Sequence, residues 1–548
     1  MKRRHIASGV LGVCAFLGGW LQLPLFSFGR DQSIYALVGE GLLHGKLPYR
    51  DLWDFKPPGI FFAYGLAQAL FGKTMLAPRI LEMAGMAVLA LSFVFLAQRW
   101  VGSVLVGVWS AALAMFVHSQ LDFWHTAQPE TFGAVLTVLG LALMVHSQSA
   151  RWPWVYWVAL GIAFGVAGLM KPHLVAGGVV LAAFLAAERY LQRRSFWQSC
   201  FPVLAVGAGS LLPILVTGFW FWAKGAWPAL SWTLFEFAPG YTALTYHNAT
   251  SLRLFYSAIE EGCFRFSAIV AVGLVLAFAL PAQHRREREG LFLLVGICCV
   301  HFSGIAMQSK FYQYHFSATL PLLCFIAVVG LAKLWRRTLL WGPRGALAFC
   351  SALGLLALMR VATNDTPLGY WARASERLRF LVSASSFPNR EALDTGLYRV
   401  GGFNLADNQQ IAARVAKLSR PSDTVFVWGF EPSIYWFSER SPASRFIYNV
   451  PQRASWQGAE AQASLMRDLE RTRPQVLVVQ RGDIIPSVVG NNLDSDHFLT
   501  EFPALSQFVT HHYLQTYGTA RFDVYQRVPG IGTLSAAPIR SLSGTNPG

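Results

Sequence analysis

GRDQSIYALVGEGLLHGKLPYRDLWDFKPPG, residues 29–59, lies between two strongly apolar segments and is dense in charge. It carries Asp31, Glu40, Asp51 and Asp54 beside Arg30, Lys46, Arg50 and Lys56. Charge next to a bilayer is costly and marks function by default. The stretch follows the first apolar run directly, where a polar head group would be handled, and it reads as the start of an active site at a membrane surface.

The surrounding composition supplies the membrane. The chain is 54% hydrophobic and only 14% charged, against roughly a quarter charged in soluble domains. Apolar runs near the roughly 17–25 residues needed to cross a bilayer recur from Ile6 to Val361. Windows at 6–26, 77–97, 103–118, 130–147, 154–170, 173–188, 200–222, 264–281, 291–307, 316–334 and 345–361 predict about eleven transmembrane helices. The expected fold is a polytopic α-helical membrane protein with a C-terminal soluble α/β domain. Its transmembrane domain spans 1–361, with 27–76 as the first outer loop, and the soluble domain spans 362–529. The run from Ile6 to Phe28 exceeds a signal-peptide core and has no small-residue cleavage site after it, so it reads as an uncleaved first span.

Lys and Arg concentrate in alternate loops: Lys2, Arg3 and Arg4; Arg189, Arg193 and Arg194; Arg285, Arg286 and Arg288; Lys333, Arg336, Arg337 and Arg344. Those loops are expected on the cytoplasmic side of the membrane. Residues 27–76, 119–129, 171–172, 223–263, 308–315 and everything after 361 then face outward. Topology thus accounts for much of the net charge of +16, and a nucleic-acid partner is not expected. The first outer loop breaks the bias with Arg30, Lys46, Arg50, Lys56, Lys73 and Arg79. These cations need another reason.

Within that loop, Ser33–His44 has an amphipathic stripe of Ile34, Leu37, Val38 and Leu42, and Ile60–Phe71 is apolar but short. Both suit the interface plane or a hairpin packed on the bundle. After residue 361 the pattern changes. Helical stretches at 411–418 and 457–471 alternate with apolar strands at 424–428 and 475–480, and 513–518 with 521–526 reads as a closing hairpin. Residues 530–548 are rich in Gly, Ser and Pro and predict a disordered tail. All seven cysteines lie in or beside the apolar part, and no Cys/His cluster has metal-ligand spacing.

Polar patches from distant parts of the chain fall on the predicted outer side: Asp31; Asp51-Leu-Trp-Asp54-Phe-Lys56-Pro-Pro58; His125-Thr-Ala-Gln128-Pro-Glu130; Lys171-Pro-His173; and Lys310-Phe-Tyr-Gln-Tyr314-His315. Each has a bland reading. Lys171 could snorkel, Tyr314 and His315 could belong to an aromatic belt, and Arg50 and Asp51 could simply pair. Their convergence on one face, acids with bases, favours function. The prolines after Lys56 fix an extended backbone that then starts a helix, which holds the lysine at a helix N-terminus suited to phosphate.

At these residues a family resemblance emerges. Asp31-Gln-Ser-Ile-Tyr35, Gly45-Lys-Leu-Pro-Tyr-Arg-Asp51 and Phe55-Lys-Pro57 resemble the first outer loop of the GT-C membrane glycosyltransferases, nearest the aminoarabinose transferase and protein O-mannosyltransferase group. Gln128-Pro-Glu130, Gly168-Leu-Met-Lys171 and Tyr314-His315 before Leu320-Pro321 follow in the family's order. The resemblance covers roughly residues 1–360. It implies a sugar donor linked through phosphate to a polyprenyl lipid, with transfer to a periplasmic lipid, glycan or protein. It also implies that Asp31 activates the acceptor and that Lys56 and Lys171 lie near the donor phosphate. Two departures stand out. Gln32 occupies the place of a second acid, and Phe55 that of a Glu before the Lys-Pro pair; Asp51, Asp54 and Glu130 are rivals for the second carboxylate.

The chemistry suits these residues. Cleavage of a glycosyl phosphate builds negative charge on the departing phosphate, and cations aimed there favour the transition state over the ground state. Lys56, Lys171, Arg50, His315 and Lys310 are the candidates. Tyr35, Asp51, Asp54, Gln128, Glu130 and Tyr314 are expected to bind other parts of the substrates. A single displacement, with Asp31 as base, predicts inversion at the anomeric carbon. No cofactor is specified by the sequence, and a divalent ion clamping phosphate is compatible with it. The rival readings are an O-antigen ligase or polymerase acting through the 223–263 loop (His247, Arg253, Glu236, Glu260 and Glu261) and a lipid-linked sugar flippase.

Overall fold

In the computed structural model, residues 2–246, 249–359, 369–382 and 390–528 are described. The chain divides into two compact units, Met1–Ala406 and Asp407–Gly548. The first is helical, and each predicted window falls on a helix, from Lys2–Trp20 to Gly342–Leu358. Among the described residues, seven helices are long and apolar enough to cross a membrane. Counting Ser251–Arg265 with Ala268–Ala279, bent by 107°, as one span makes up to eight. Val104–Gln120 is apolar but shorter. The chain is a multi-span membrane protein.

Charge inside this unit is matched locally. Lys333 pairs with Glu287 at 2.8 Å and donates to the carbonyls of Ala277 and Leu280, tying three helices together. Two of the first-loop cations find their reason in the same way. Lys73 meets Glu40 at 2.7 Å. Arg79 is fully buried against Glu82 and donates to the carbonyls of Phe26, Ser27 and Phe123.

The two short helices of the first loop form a packed hairpin, Arg30–Leu43 with Gly59–Phe71. A Cβ on Gly39 would lie 2.7 Å from the amide nitrogen of Gly65, so the two backbones nearly touch. Gln68 donates to the Ala36 carbonyl across the pair at 2.9 Å. Helix Arg30–Leu43 buries polar Gln32 and Ser33 as well as Ile34 and Val38. The hairpin packs on the bundle and leaves Leu43, Leu66, Leu70 and Phe71 exposed.

The first unit also extends beyond the sequence-based boundary at 361 to Ala406. The reason is electrostatic. Helix Tyr370–Val382 aims Arg373 and Arg377 at the buried carboxylate of Asp122. Asp394 accepts a hydrogen bond from Ser27 at 2.8 Å, and the Tyr398 hydroxyl donates to the Leu25 carbonyl.

The second unit is α/β. Its five-stranded sheet runs Ser441–Pro442, Thr424–Trp428, Val476–Gln480, Phe522–Arg527, Tyr513–Gly518. The first three strands are parallel and the last two antiparallel. Val425–Trp428 and Val476–Val479 are buried throughout, as expected of central strands covered on both faces. The predicted helix at 411–418 begins earlier, at Leu405. The tail expected to be disordered, His247 and the 361/362 boundary lie outside the described residues.

Candidate active site

Backbone punctuation positions the site. Helix Arg30–Leu43 opens after Gly29 with Asp31 in its first turn. Pro57 and Pro58 lead into helix Gly59–Phe71, and Pro172 forces an extended residue before it. Lys171 accordingly has φ −148° and ψ 120°, ending helix Pro153–Met170. A Cβ on Gly59 would lie 2.7 Å from the Leu169 carbonyl, so the start of one helix abuts the end of the other. That contact brings Lys56 and Lys171, 115 positions apart in sequence, to one place.

Around them the expected side chains assemble. Lys171 meets Glu130 at 2.9 Å and donates to Gln308 Oε1 at 3.1 Å. Lys56 donates to the Tyr314 hydroxyl at 3.2 Å, and its backbone amide donates to Asp54 at 3.2 Å. Gln128 accepts from the Tyr35 hydroxyl at 2.9 Å and donates to Asp31 at 3.3 Å. His315 Nε2 is 4.0 Å from Glu130, and its Nδ1 meets the Lys310 carbonyl at 2.7 Å. The Lys310 ammonium lies 4.3 Å from the centre of the Tyr241 ring. Asp54, Lys56, Gln128, Glu130, Lys171, Lys310, Tyr314 and His315 are all buried.

The electrostatics separate the cations. Burial alone would lower Lys56, but the carboxylates Asp31, Glu130 and Asp54 outweigh it and hold the amine above the ordinary lysine value. Lys171 lies below that value, because burial and the nearby Lys56 exceed the opposing pull of Glu130 and Asp31. Burial pushes Lys310 down to about 8. His315 is driven well below the usual histidine range by burial and by Lys171 and Lys56, so it is neutral at pH 7. His315, expected among the cations for the donor phosphate, thus stands here as a neutral ring near the two lysines. Tyr35 and Tyr314 are raised well above 10, mainly by burial and then by Asp31, and remain hydroxyl donors.

Arg50 and Asp51 are not part of this cluster. They pair with each other at 2.8 Å at the surface, and their further partners are the Lys224 carbonyl and the Leu47 amide. The pairing alternative applies to them, because adjacent side chains on a turn meet without needing the rest of the fold. Among the described residues, no three His, Cys, Asp or Glu side chains could together hold a metal ion.

Sequence reasoning missed the scaffold of the site. Gln32, noted only as a departure, is fully buried. Its amide nitrogen donates to the carbonyls of Phe123, Trp124 and Thr126 at 3.0, 3.2 and 2.7 Å, while its oxygen accepts from Gly29 N at 3.1 Å. Glu82 accepts from the Ala127 amide at 2.7 Å and meets Arg79 and His118. Together they hold the turn that delivers Gln128 and Glu130. An amide in an otherwise acidic motif was the available signal.

Two kinds of likeness bear on this arrangement. Residues 55–220 match the family model of dolichyl-phosphate-mannose-protein mannosyltransferases. The fold matches ArnT from Cupriavidus metallidurans, in a structure bound to undecaprenyl phosphate, with a TM-score of 0.57 and 18% identity over 96% of this chain and 99% of that one. The apo form of the same ArnT gives a TM-score of 0.57 at 16% identity, over the same shares of both chains. No curated protein matches the sequence. Over those shares the likeness to ArnT is one of fold.

Proposed function

We propose that this protein is a GT-C inverting glycosyltransferase that moves a sugar from a polyprenyl-phosphate carrier to a lipid, glycan or protein acceptor at the periplasmic face of the inner membrane. The observation that carries the reading is the buried meeting of Lys56 and Lys171 with Glu130 beside Asp31 and Gln128. Four separate segments supply these residues. A structural ion pair needs two partners, whereas this cluster keeps two amines and several carboxylates together at the ends of helices. The match to ArnT supports the fold, and the ligand in that ArnT structure, undecaprenyl phosphate, suggests the class of carrier.

In this reading Lys56 and Lys171 face the phosphate, with Lys310 beside them. The acceptor oxygen attacks the anomeric carbon as the bond from that carbon to the phosphate oxygen breaks. The acceptor proton passes to Asp31, and polyprenyl phosphate leaves. Cations already in position stabilise the growing phosphate charge without reorganising, and a positioned carboxylate base contributes about 10²–10⁴-fold. Gln128 orients Asp31 through the 3.3 Å bond and is itself oriented by Tyr35.

The test is transfer in membranes or micelles, with envelope lipids and glycans compared by mass spectrometry in cells with and without the protein. Asp31→Asn is expected to fold, to keep undecaprenyl phosphate binding and to lose at least about 10²-fold in transfer. Near-normal turnover in that variant would remove Asp31 from the chemistry, and a product retaining the donor's anomeric configuration would remove the single displacement.

A further inference from the structure

The fully buried carboxyl of Glu130 takes one close donor, the Lys171 ammonium, and among the described residues its Oε2 has none. Its close polar neighbours are Lys171 Nζ at 2.9 Å and, more distantly, His315 Nε2 at 4.0 Å. A buried carboxylate with so little satisfaction is expensive, so packing alone does not explain it. Lys171 has the opposite problem. It is a buried amine whose other direct partner is the neutral Gln308 oxygen at 3.1 Å.

We infer that Glu130 is a positioning residue whose carboxylate keeps Lys171 charged and aimed at the donor phosphate across the working pH range. This deepens the proposed function and rests on it. Glu130 acts through Lys171 and need not touch the substrate. The groups facing Lys171 are Glu130 from helix Pro129–Ser147, Gln308 at the end of helix Arg285–Gln308, Lys56 from the first loop, Asp31 from helix Arg30–Leu43, and His173 and His315 from the two short turns. Among them, Glu130 is the carboxylate in direct contact. Burial and Lys56 already hold Lys171 below the usual lysine range, and removing the Glu130 charge would lower it further. A phosphate oxygen can take the place of Glu130 beside the amine, leaving the lysine charged and paired before and after binding.

The experiment measures the affinity of the full-length protein in detergent micelles for undecaprenyl phosphate from pH 7 to 10. A Lys310→Arg background removes the separate titration near pH 8. With Glu130 intact, affinity is expected to fall only on a high alkaline limb. Glu130→Gln is expected to move that limb at least one pH unit towards acid. Adding Lys171→Arg, which stays charged, is expected to move it back. An unshifted limb, or a shift that Lys171→Arg does not reverse, would overturn the inference while leaving lipid-phosphate binding in place. If Glu130→Gln does not fold, Lys171→Arg alone decides: its alkaline limb is expected to vanish, and persistence of the limb overturns the coupling. Absence of undecaprenyl phosphate binding to the unsubstituted chain would instead overturn both this inference and the donor class on which it rests.

Discussion

Gln32→Glu is the most informative single substitution, because it sets an acid against the local geometry. The Gln32 amide nitrogen faces three carbonyls. Phe123 O also receives Arg79, and Trp124 O also receives Gln128, so those two keep a donor. Thr126 O depends on the 2.7 Å bond from Gln32. Leaving that carbonyl unpaired costs about 1–3 kcal/mol. An ionised carboxylate there would face carbonyl oxygens, with the nearby Arg79 already paired to Glu82, and an uncompensated buried charge adds about 3–5 kcal/mol. Protonation is the cheaper escape, since the acid hydroxyl could still donate to Thr126 O. The expected net destabilisation is about 2–5 kcal/mol at pH 7.5. Burial raises the introduced acid's pKa in the folded state. The penalty therefore grows as pH rises above the unfolded carboxylate value and shrinks towards pH 5. Thermal unfolding in micelles at pH 5 and 7.5, with Gln32→Met as the uncharged control, reads this directly. Transfer measured below the unfolding range should fall at least about tenfold, because the loosened turn carries Gln128 and Glu130. A Gln32→Glu protein as stable as the parent at both pH values, with full transfer, would refute the reasoning.

Three further outcomes are expected. Lys310, pushed down to about 8, is charged below that pH and neutral above it. If it serves the phosphate, donor affinity should fall through pH 8–9, and Lys310→Arg should abolish that fall; an identical pH profile in the arginine variant would remove Lys310 from the site. Lys56→Met removes the amine nearest Tyr314 and leaves Asp31, Glu130 and Asp54 less compensated. Apparent donor KM should rise and kcat should fall, for a combined loss of about 10²–10³-fold, or roughly 3–4 kcal/mol at an effective dielectric near 20, and an unchanged donor dependence would count against phosphate contact. Asp122→Ala strands Arg373 and Arg377 without their shared carboxylate and should cost about 3–5 kcal/mol; limited proteolysis should then cut near helix Tyr370–Val382, and unchanged protection would show that the clamp is dispensable.

The membrane-spanning part was legible because its signal is local. Apolar runs such as those of Leu76–Trp100 and Phe196–Ala223 declare themselves by length, and strands Thr424–Trp428 and Val476–Gln480 by continuous apolar residues between turn signals. The convergence of Lys56, Lys171 and Glu130 could be reached only through the order of weak motifs, since nothing local links positions 56 and 171. Gly59 against Leu169 is the contact that joins them, and a glycine's role as a point of close approach is invisible until its neighbour is known. The attachment of helix Tyr370–Val382 to the first unit was missed for the same reason. Arg373 and Arg377 look like ordinary polar-face residues until Asp122 is placed opposite them. Arg50 and Asp51 show the opposite case: a charged loop attracts functional readings, and the structure pairs these two neighbours at the surface, away from the buried cluster.

The charge inventory of the site makes a coherent argument once the reaction is written out. A polyprenyl-phosphate sugar is a phosphodiester with one negative charge, and the departing lipid phosphate approaches two. If Asp31 takes the acceptor proton, one carboxylate charge disappears as one phosphate charge appears, so the total does not change. Charge moves from Asp31 to the phosphate, both within the influence of Lys56 on this reading. Among the carboxylates that raise Lys56, Asp31 contributes most, so neutralising Asp31 releases the amine to the phosphate at the moment the phosphate needs it. Moving charge near a fixed cation in a buried site avoids creating an ion in a low-dielectric interior, which would be far costlier. The same logic explains why the lysines need carboxylates beforehand: without ligand, two buried amines with no counter-charge would shed their protons. On this view Asp31 and Glu130 divide the work, the first giving up its charge during each turnover and the second never doing so.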